Sequence, residues 1–252
     1  MYFKYKDINL YYKKIGSKPK NIIILPGWGN TRESFRYIID FFKDNYTIYI
    51  VDYPGFGNSP IIDKELNIYN YSEIIKDFII SNHIDNSIII AHSFGGRISS
   101  IILGKDKLKI KKLILIDVAG IKHFKLSLFI KTTIYKFIKK IINILPKKYR
   151  YKFYKKIFNK FSSNDYKSLP PNMHKTFQNI TKENLKKYYK NINTDTLIIW
   201  GSKDKDTPLK DAYLLNKIIK KSKLIIYNEA SHFSYLENIN TINKNIKDFI
   251  EK

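Results

Sequence analysis

The chain has 252 residues, with 46 Lys and Arg against 22 Asp and Glu, so its net charge is +24. A 44% apolar content is enough for one sizeable core, and the length suits one large domain carrying an insertion. The absence of cysteine excludes disulfides and thiolate metal sites, no apolar run is long enough to span a membrane, and the start Met1-Tyr2-Phe3-Lys4 lacks a signal-peptide core, so a cytoplasmic location is expected.

Residues 1–15 alternate in polarity and predict an antiparallel entry hairpin around Asp7-Ile8-Asn9. Strands are expected near 21–25, 46–51, 87–91, 112–117, 195–200 and 223–227. Helical periodicity lies between them, for example over 32–42, 71–82, 97–103 and 239–250. Strand alternating with helix implies an α/β protein with a mostly parallel sheet covered on both faces. The strands read as continuous apolar runs, as strands buried on both faces should. From about 119 to 178 the alternation stops. A basic amphipathic helical pattern runs from Leu126 and stops at Pro146, and a second covers 150–158. The apolar face of the first, including Phe129, Ile134, Phe137 and Ile141, is expected to pack on the core or line a pocket.

Four segments carry chemistry. The run Ile88-Ile89-Ile90 breaks into Ala91-His92-Ser93-Phe94-Gly95-Gly96. A serine on a sharp strand-to-helix turn projects its Oγ above the sheet, provided the residues two before and two after it are small. Ala91 and Gly95 meet that need. Taken alone, the same pattern suits an N-cap or turn serine. A nucleophilic serine needs a base, and five histidines are available: His83, His92, His123, His174 and His232. His232 lies in a loop after the strand-like 224–227, at a strand's carboxyl end. His92 adjoins the serine but points to the other side of the strand, so it reads as a packed neighbour. His83 suits a helix end, and His123 and His174 read as surface residues of the insertion. The base needs an orienting acid. Asp204, after the strand 197–200, is preferred. Asp206 is second, and it also suits capping of a helix that begins near Pro208. Asp117, after 113–116, is third. Finally, the strand 21–25 enters Pro26-Gly27-Trp28-Gly29-Asn30. The backbone N–H groups of Trp28 and Phe94 are candidate donors to an oxyanion, and the flanking glycines let the Trp28 backbone approach a ligand closely.

Taken together, Pro26 to Gly29, Asp52 to Ser59, Ala91 to Gly96, Gly201 to Pro208 and Ala230 to Phe233 resemble the α/β-hydrolase fold family, in the broad group of small serine esterases and carbon–carbon bond hydrolases. The chain order Ser93, Asp204, His232 is that of the family. Pro26 stands where the family usually has histidine. The resemblance implies a hydrolase core over 1–118 and 179–252 with a helical cap inserted at 119–178. It implies that the 52–59 loop is structural, so Asp52 is no catalytic group, and the G-x-G there is no nucleotide fingerprint. Because the nucleophile position holds serine and not aspartate, dehalogenase and epoxide hydrolase chemistry does not carry over.

The implied activity is cleavage of a carboxylic ester or thioester with a small acyl substrate, through an acyl-enzyme and without cofactor or metal. The alternatives are carbon–carbon cleavage of a dienoate-like diketone, in which Arg97 or Arg150 would meet the substrate carboxylate, and a non-catalytic ligand-binding member of the fold. The lysines are spread along the chain and no nucleic-acid motif accompanies them, so specific nucleic-acid binding is not expected. A weak contact of the basic cap with acidic lipid or an acidic carrier protein is the partner expectation.

Overall fold

A computed structural model describes residues 1–123, 126–144, 148–151, 153 and 164–252. Eight strands form one sheet: β1 (Tyr2–Tyr5), β2 (Ile8–Ile15), β3 (Asn21–Leu25), β4 (Thr47–Asp52), β5 (Ile88–His92), β6 (Lys112–Ile116), β7 (Thr196–Gly201) and β8 (Ser222–Tyr227). Their spatial order is β1-β2-β4-β3-β5-β6-β7-β8. β1 and β2 form the expected hairpin, with Tyr5 opposite Ile8, and β2 meets β4 antiparallel. Every later pairing is parallel.

The central strands are hydrophobic at every position because both faces are covered. Period-two alternation divides each strand between two cores. Ile23, Leu25, Val51, Ile89, Leu113, Leu115, Ile198 and Trp200 face one side. Their immediate neighbours Ile22, Ile24, Ile50, Ile88, Ile90, Ile114, Ile116, Leu197 and Ile199 face the other. The second side is closed by α1 (Arg36–Phe42), through Ile38, Ile39 and Phe42, and by the C-terminal helix. The first is closed by α2 (Ile68–Ser81) and α3 (Phe94–Gly104). α2 begins three residues before its predicted start. The Asn67 side chain accepts from the amides of Tyr69 and Asn70, and Asn70 reciprocates, so this capping box sets the helix end upstream of its apolar pattern.

Between β6 and β7 the described residues add α4 (Leu126–Ile144), α5 (Asn164–Ser168), α6 (His174–Lys182) and α7 (Lys186–Lys190), and no strand. The helix expected over 150–158 lies largely outside the described residues. The expectation for the apolar face of α4 is corrected. Ile134, Phe137 and Ile141 are 46%, 64% and 47% exposed, whereas Ile142 is buried; the Phe129 side chain lies outside those described. The helix carries two parallel stripes of identical spacing, 134/137/141 and 135/138/142. Periodicity alone cannot choose between them, and the second turns inward. After β7 come α8 (Leu209–Ile218), α9 (Ser234–Glu237) and α10 (Ile239–Ile250). Among the described residues no helix is long and apolar enough to cross a membrane.

Candidate active site

Ser93 sits between β5 and α3 at φ 47°, ψ −106°, a left-handed conformation that costs a non-glycine residue on the order of 1–3 kcal/mol. Its surroundings hold it there. The Ser93 amide donates to Ile116 O at 3.2 Å, its carbonyl accepts from Ala119 N at 3.0 Å, and the Gly95 amide donates to Pro26 O at 3.0 Å. A Cβ at Gly95 would lie 2.1 Å from Leu25 O, so this position admits glycine only. Ala91 is fully buried in the strand below.

His232 follows β8 and reaches back across the carboxyl edge of the sheet. Its Nε2 is 3.0 Å from Ser93 Oγ, and its Nδ1 is 2.8 Å from Asp204 Oδ2. A carboxylate only accepts, so Nδ1–H donates to Asp204 and the Nε2 lone pair is left for the serine proton. Asp204 is itself held tightly. Its Oδ1 accepts from the amides of Asp206 and Thr207, both at 2.8 Å, and its Oδ2 accepts from Thr207 Oγ1 at 2.5 Å. This turn follows β7 directly. Burial alone would lower the His232 pKa, but the hydrogen bond and charge of Asp204, with Asp117 and Asp206 behind, outweigh it and raise it above the ordinary 6.5. Burial works to raise the Asp204 pKa, and its bonds to His232 and Thr207 prevail and hold it below the usual carboxylate value.

The three aspartates thus part company. Asp206 is exposed and makes no hydrogen bond to the imidazole; nor does it cap α8, whose N-cap is Pro208 without a side-chain bond. Asp117 is fully buried and accepts from Gly201 N, Ser234 N and Ser234 Oγ, tying the end of β6 to β7 and to α9. Burial pushes its carboxyl up to about 7. Asp204, Asp206 and His232 offer donor atoms within 4.8 Å of one another, a spacing compatible with a cation. The Asp204 oxygens and His232 Nδ1 are already committed to one another and to the turn, so that donor set does not fit a resident metal.

The remaining histidines divide as follows. His92 is buried beside the serine. Its Nε2 donates to His232 O at 2.9 Å, and Asn30 Nδ2 approaches its Nδ1 at 3.5 Å. Burial, aided by the nearby His232, drops its pKa to about 3, so it stays neutral. His123 departs from the surface reading, since it is hydrogen-bonded to the buried Asp211. His174 stacks on Tyr166 at 4.3 Å, and His83 is exposed after α2. Asp52 is structural as expected: its Oδ2 accepts from Asn58 N and its carbonyl from Ser59 Oγ.

Trp28 packs edge-on against Phe94, with ring centroids 5.1 Å apart. Neither backbone amide has an acceptor among the described residues. Both residues line a cavity of about 350 Å³ together with Ser93, His232, Arg97 and Phe177. A larger hollow of about 520 Å³ between β8 and α10 contains none of these groups. Sequence reasoning missed two contributors, Thr207 and the bridging role of His92. The first had a signal, since an aspartate accepting from the amides two and three residues onward is an Asx turn.

A family model described as alpha/beta hydrolase fold matches residues 20–239. The pimeloyl-[acyl-carrier protein] methyl ester esterase of Wigglesworthia glossinidia brevipalpis is 30% identical over 96% of this chain and 98% of its own length. Among solved structures, an esterase from Exiguobacterium antarcticum superposes with a TM-score of 0.76 at 19% identity, covering 100% of this chain and 99% of that one. An alpha/beta hydrolase from a Medee basin deep-sea metagenome library gives 0.77 at 20% identity, covering 100% and 98%. These structural likenesses concern the fold alone.

Proposed function

The chain belongs to the α/β hydrolase fold family and is a hydrolase of the esterase type, and from that premise we propose that it cleaves a carboxylic ester or thioester through an acyl-enzyme on Ser93. The observation that carries this reading is the continuous hydrogen-bond line from Ser93 Oγ through His232 to Asp204. His232 Nε2 takes the hydroxyl proton as Oγ attacks the carbonyl carbon. Asp204 stabilises the imidazolium so formed, in keeping with the raised His232 pKa. The negative charge on the carbonyl oxygen meets the amides of Trp28 and Phe94. Collapse of the tetrahedral intermediate expels the alcohol or thiol, which leaves with the proton from His232. Water, deprotonated by His232, then attacks the acyl-enzyme, and the acid departs as Ser93 regains its proton.

Residues 119–178 are assigned as a cap, and Phe177 brings an apolar ring to the cavity from that segment. A cap excludes water and shapes the acyl pocket. The cavity suits a small-to-medium acyl group. The name of the Wigglesworthia relative adds esters of carrier-bound acyl chains to the candidate substrates. A net charge of +24 agrees with an acidic carrier or acidic lipid as a weakly held partner, and a cytoplasmic location is part of the same reading.

The test is a fluorophosphonate probe, which labels only an activated serine. Wild type should be labelled and Ser93→Ala should not. A well-folded wild type that stays unlabelled would favour a ligand-binding protein over an enzyme.

A further inference from the structure

Arg97 lies on α3 one turn beyond Ser93, a separation of about 6 Å along the helix axis. It is 8% exposed and lines the same cavity as Ser93. Its Nη1 donates to Ile180 O at 3.2 Å and to Glu183 O at 3.3 Å, at the C-terminal end of α6. Nε and Nη2 have no partner among the described residues, and no carboxylate there forms an ion pair with the guanidinium. Lys122 adds a second cation nearby. Its Nζ donates to Lys182 O at 2.6 Å, and its pKa is lowered by burial first and by the charge of Arg97 second, while Glu183 works in the opposite direction.

A buried cation without a carboxylate is costly, because water is removed and only carbonyl dipoles replace it. The two carbonyls and the helix C-terminus offset part of that cost. They occupy one nitrogen of the fork. The Nε/Nη2 edge that remains is the edge that grips a carboxylate with two parallel hydrogen bonds.

Building on the esterase reading, we propose that the free edge of Arg97 receives a carboxylate of the substrate, so that the preferred ester belongs to a molecule with a second, anionic end: a mono-ester of a dicarboxylic acid. Ser93 and Arg97 line one cavity, so a single substrate can meet the serine with its ester end and the guanidinium with its anionic end. A neutral ester of equal length would fill the cavity and leave the guanidinium unpaired.

Monomethyl adipate and methyl hexanoate, of equal acyl length, test this. The wild type should favour monomethyl adipate in kcat/KM. Arg97→Met should cut the ratio of the two kcat/KM values about ten-fold or more, the worth of one charge-assisted hydrogen bond, chiefly through KM. Arg97→Lys should recover part of the ratio. If Arg97 only anchors α6, both esters suffer alike, the ratio holds, and the proposal is overturned. Calorimetry on Ser93→Ala separates the carboxylate site from the chemistry: that protein should bind adipate and not 1,6-hexanediol, even if neither Arg97 variant folds. Equal binding of the two, or of neither, also overturns the proposal. Adipate binding in a protein that resists fluorophosphonate would sink the hydrolytic reading and leave the carboxylate site standing.

Discussion

His92 Nε2 lies 2.9 Å from the backbone carbonyl oxygen of His232, so the residue beside the serine anchors the loop that delivers the imidazole to it. The same ring abuts the loop after β3. A Cβ on Gly27 would lie 2.8 Å from His92 Nδ1, and Asn30 Nδ2 approaches the same nitrogen. One buried neutral side chain therefore holds the base loop and the proposed oxyanion loop in register.

Replacing His92 by Phe keeps a ring but removes the donor. Turnover should fall roughly 10- to 100-fold, an uncompensated buried carbonyl being worth about 1–3 kcal/mol. Stability should also respond to pH. With a folded pKa of about 3 against an unfolded value near 6.5, the unfolded chain binds a proton in that window that the folded chain does not. The contribution is present above pH 6.5 and is lost as pH falls towards 3. His92→Phe removes it, so the drop in urea midpoint between pH 7 and pH 5 should be smaller in the variant. An equal drop in both proteins would contradict the assignment.

The acid can be identified from a pH profile. In the proposed mechanism His232 is neutral when it accepts the serine proton, and its pKa is raised, so kcat/KM should climb with pH through a midpoint above 6.5. Asp204→Asn removes the main raising partner. The midpoint should move to lower pH and kcat should fall roughly ten-thousand-fold. Asp206→Asn leaves the His232–Asp204 bond intact and should cost less than about ten-fold. Thr207→Val, which strips the hydroxyl from Asp204 Oδ2, should fall between them. A severe loss in Asp206→Asn with an active Asp204→Asn would reverse the roles.

Gly95→Ala should destabilise the fold. The added methyl would lie 2.1 Å from Leu25 O and 2.9 Å from Leu25 Cβ, backbone and core that cannot retreat without moving β3. Overpacking of this kind costs on the order of 1–3 kcal/mol or more. Thermal denaturation reads it directly, and a melting temperature within a degree of wild type would contradict the packing described.

The two stripes of α4 make opposite predictions. Phe137→Ser should change stability by less than about 0.5 kcal/mol, since that ring is 64% exposed. Ile142→Ala should cost about 2–5 kcal/mol, because it leaves a cavity at a buried site. Chemical denaturation of both variants decides, and a larger loss from Phe137→Ser would mean that the outward stripe is packed.

Much of this was readable from local pattern. The apolar strand runs, their alternation with helices, and the abrupt change to Ala91-His92-Ser93-Phe94-Gly95 each report a rule acting over a few residues: two-sided burial, helical period, steric need at a sharp turn. They are enough to identify the sheet and to nominate Ser93 and His232 as the candidate nucleophile and base that the fold brings within hydrogen-bond distance. They give a preference for Asp204 over Asp206 and Asp117 and no more, since all three follow strands and which side chain meets a ring encoded far along the chain is not a local property. They do not choose the inward stripe of α4, because two stripes share one period. Nor do they reveal that Arg97 is buried on the cavity with its Nε and Nη2 unpartnered among the described residues. Strand and helix follow from contacts between near neighbours, whereas these pairings form between segments that only the closed sheet brings together.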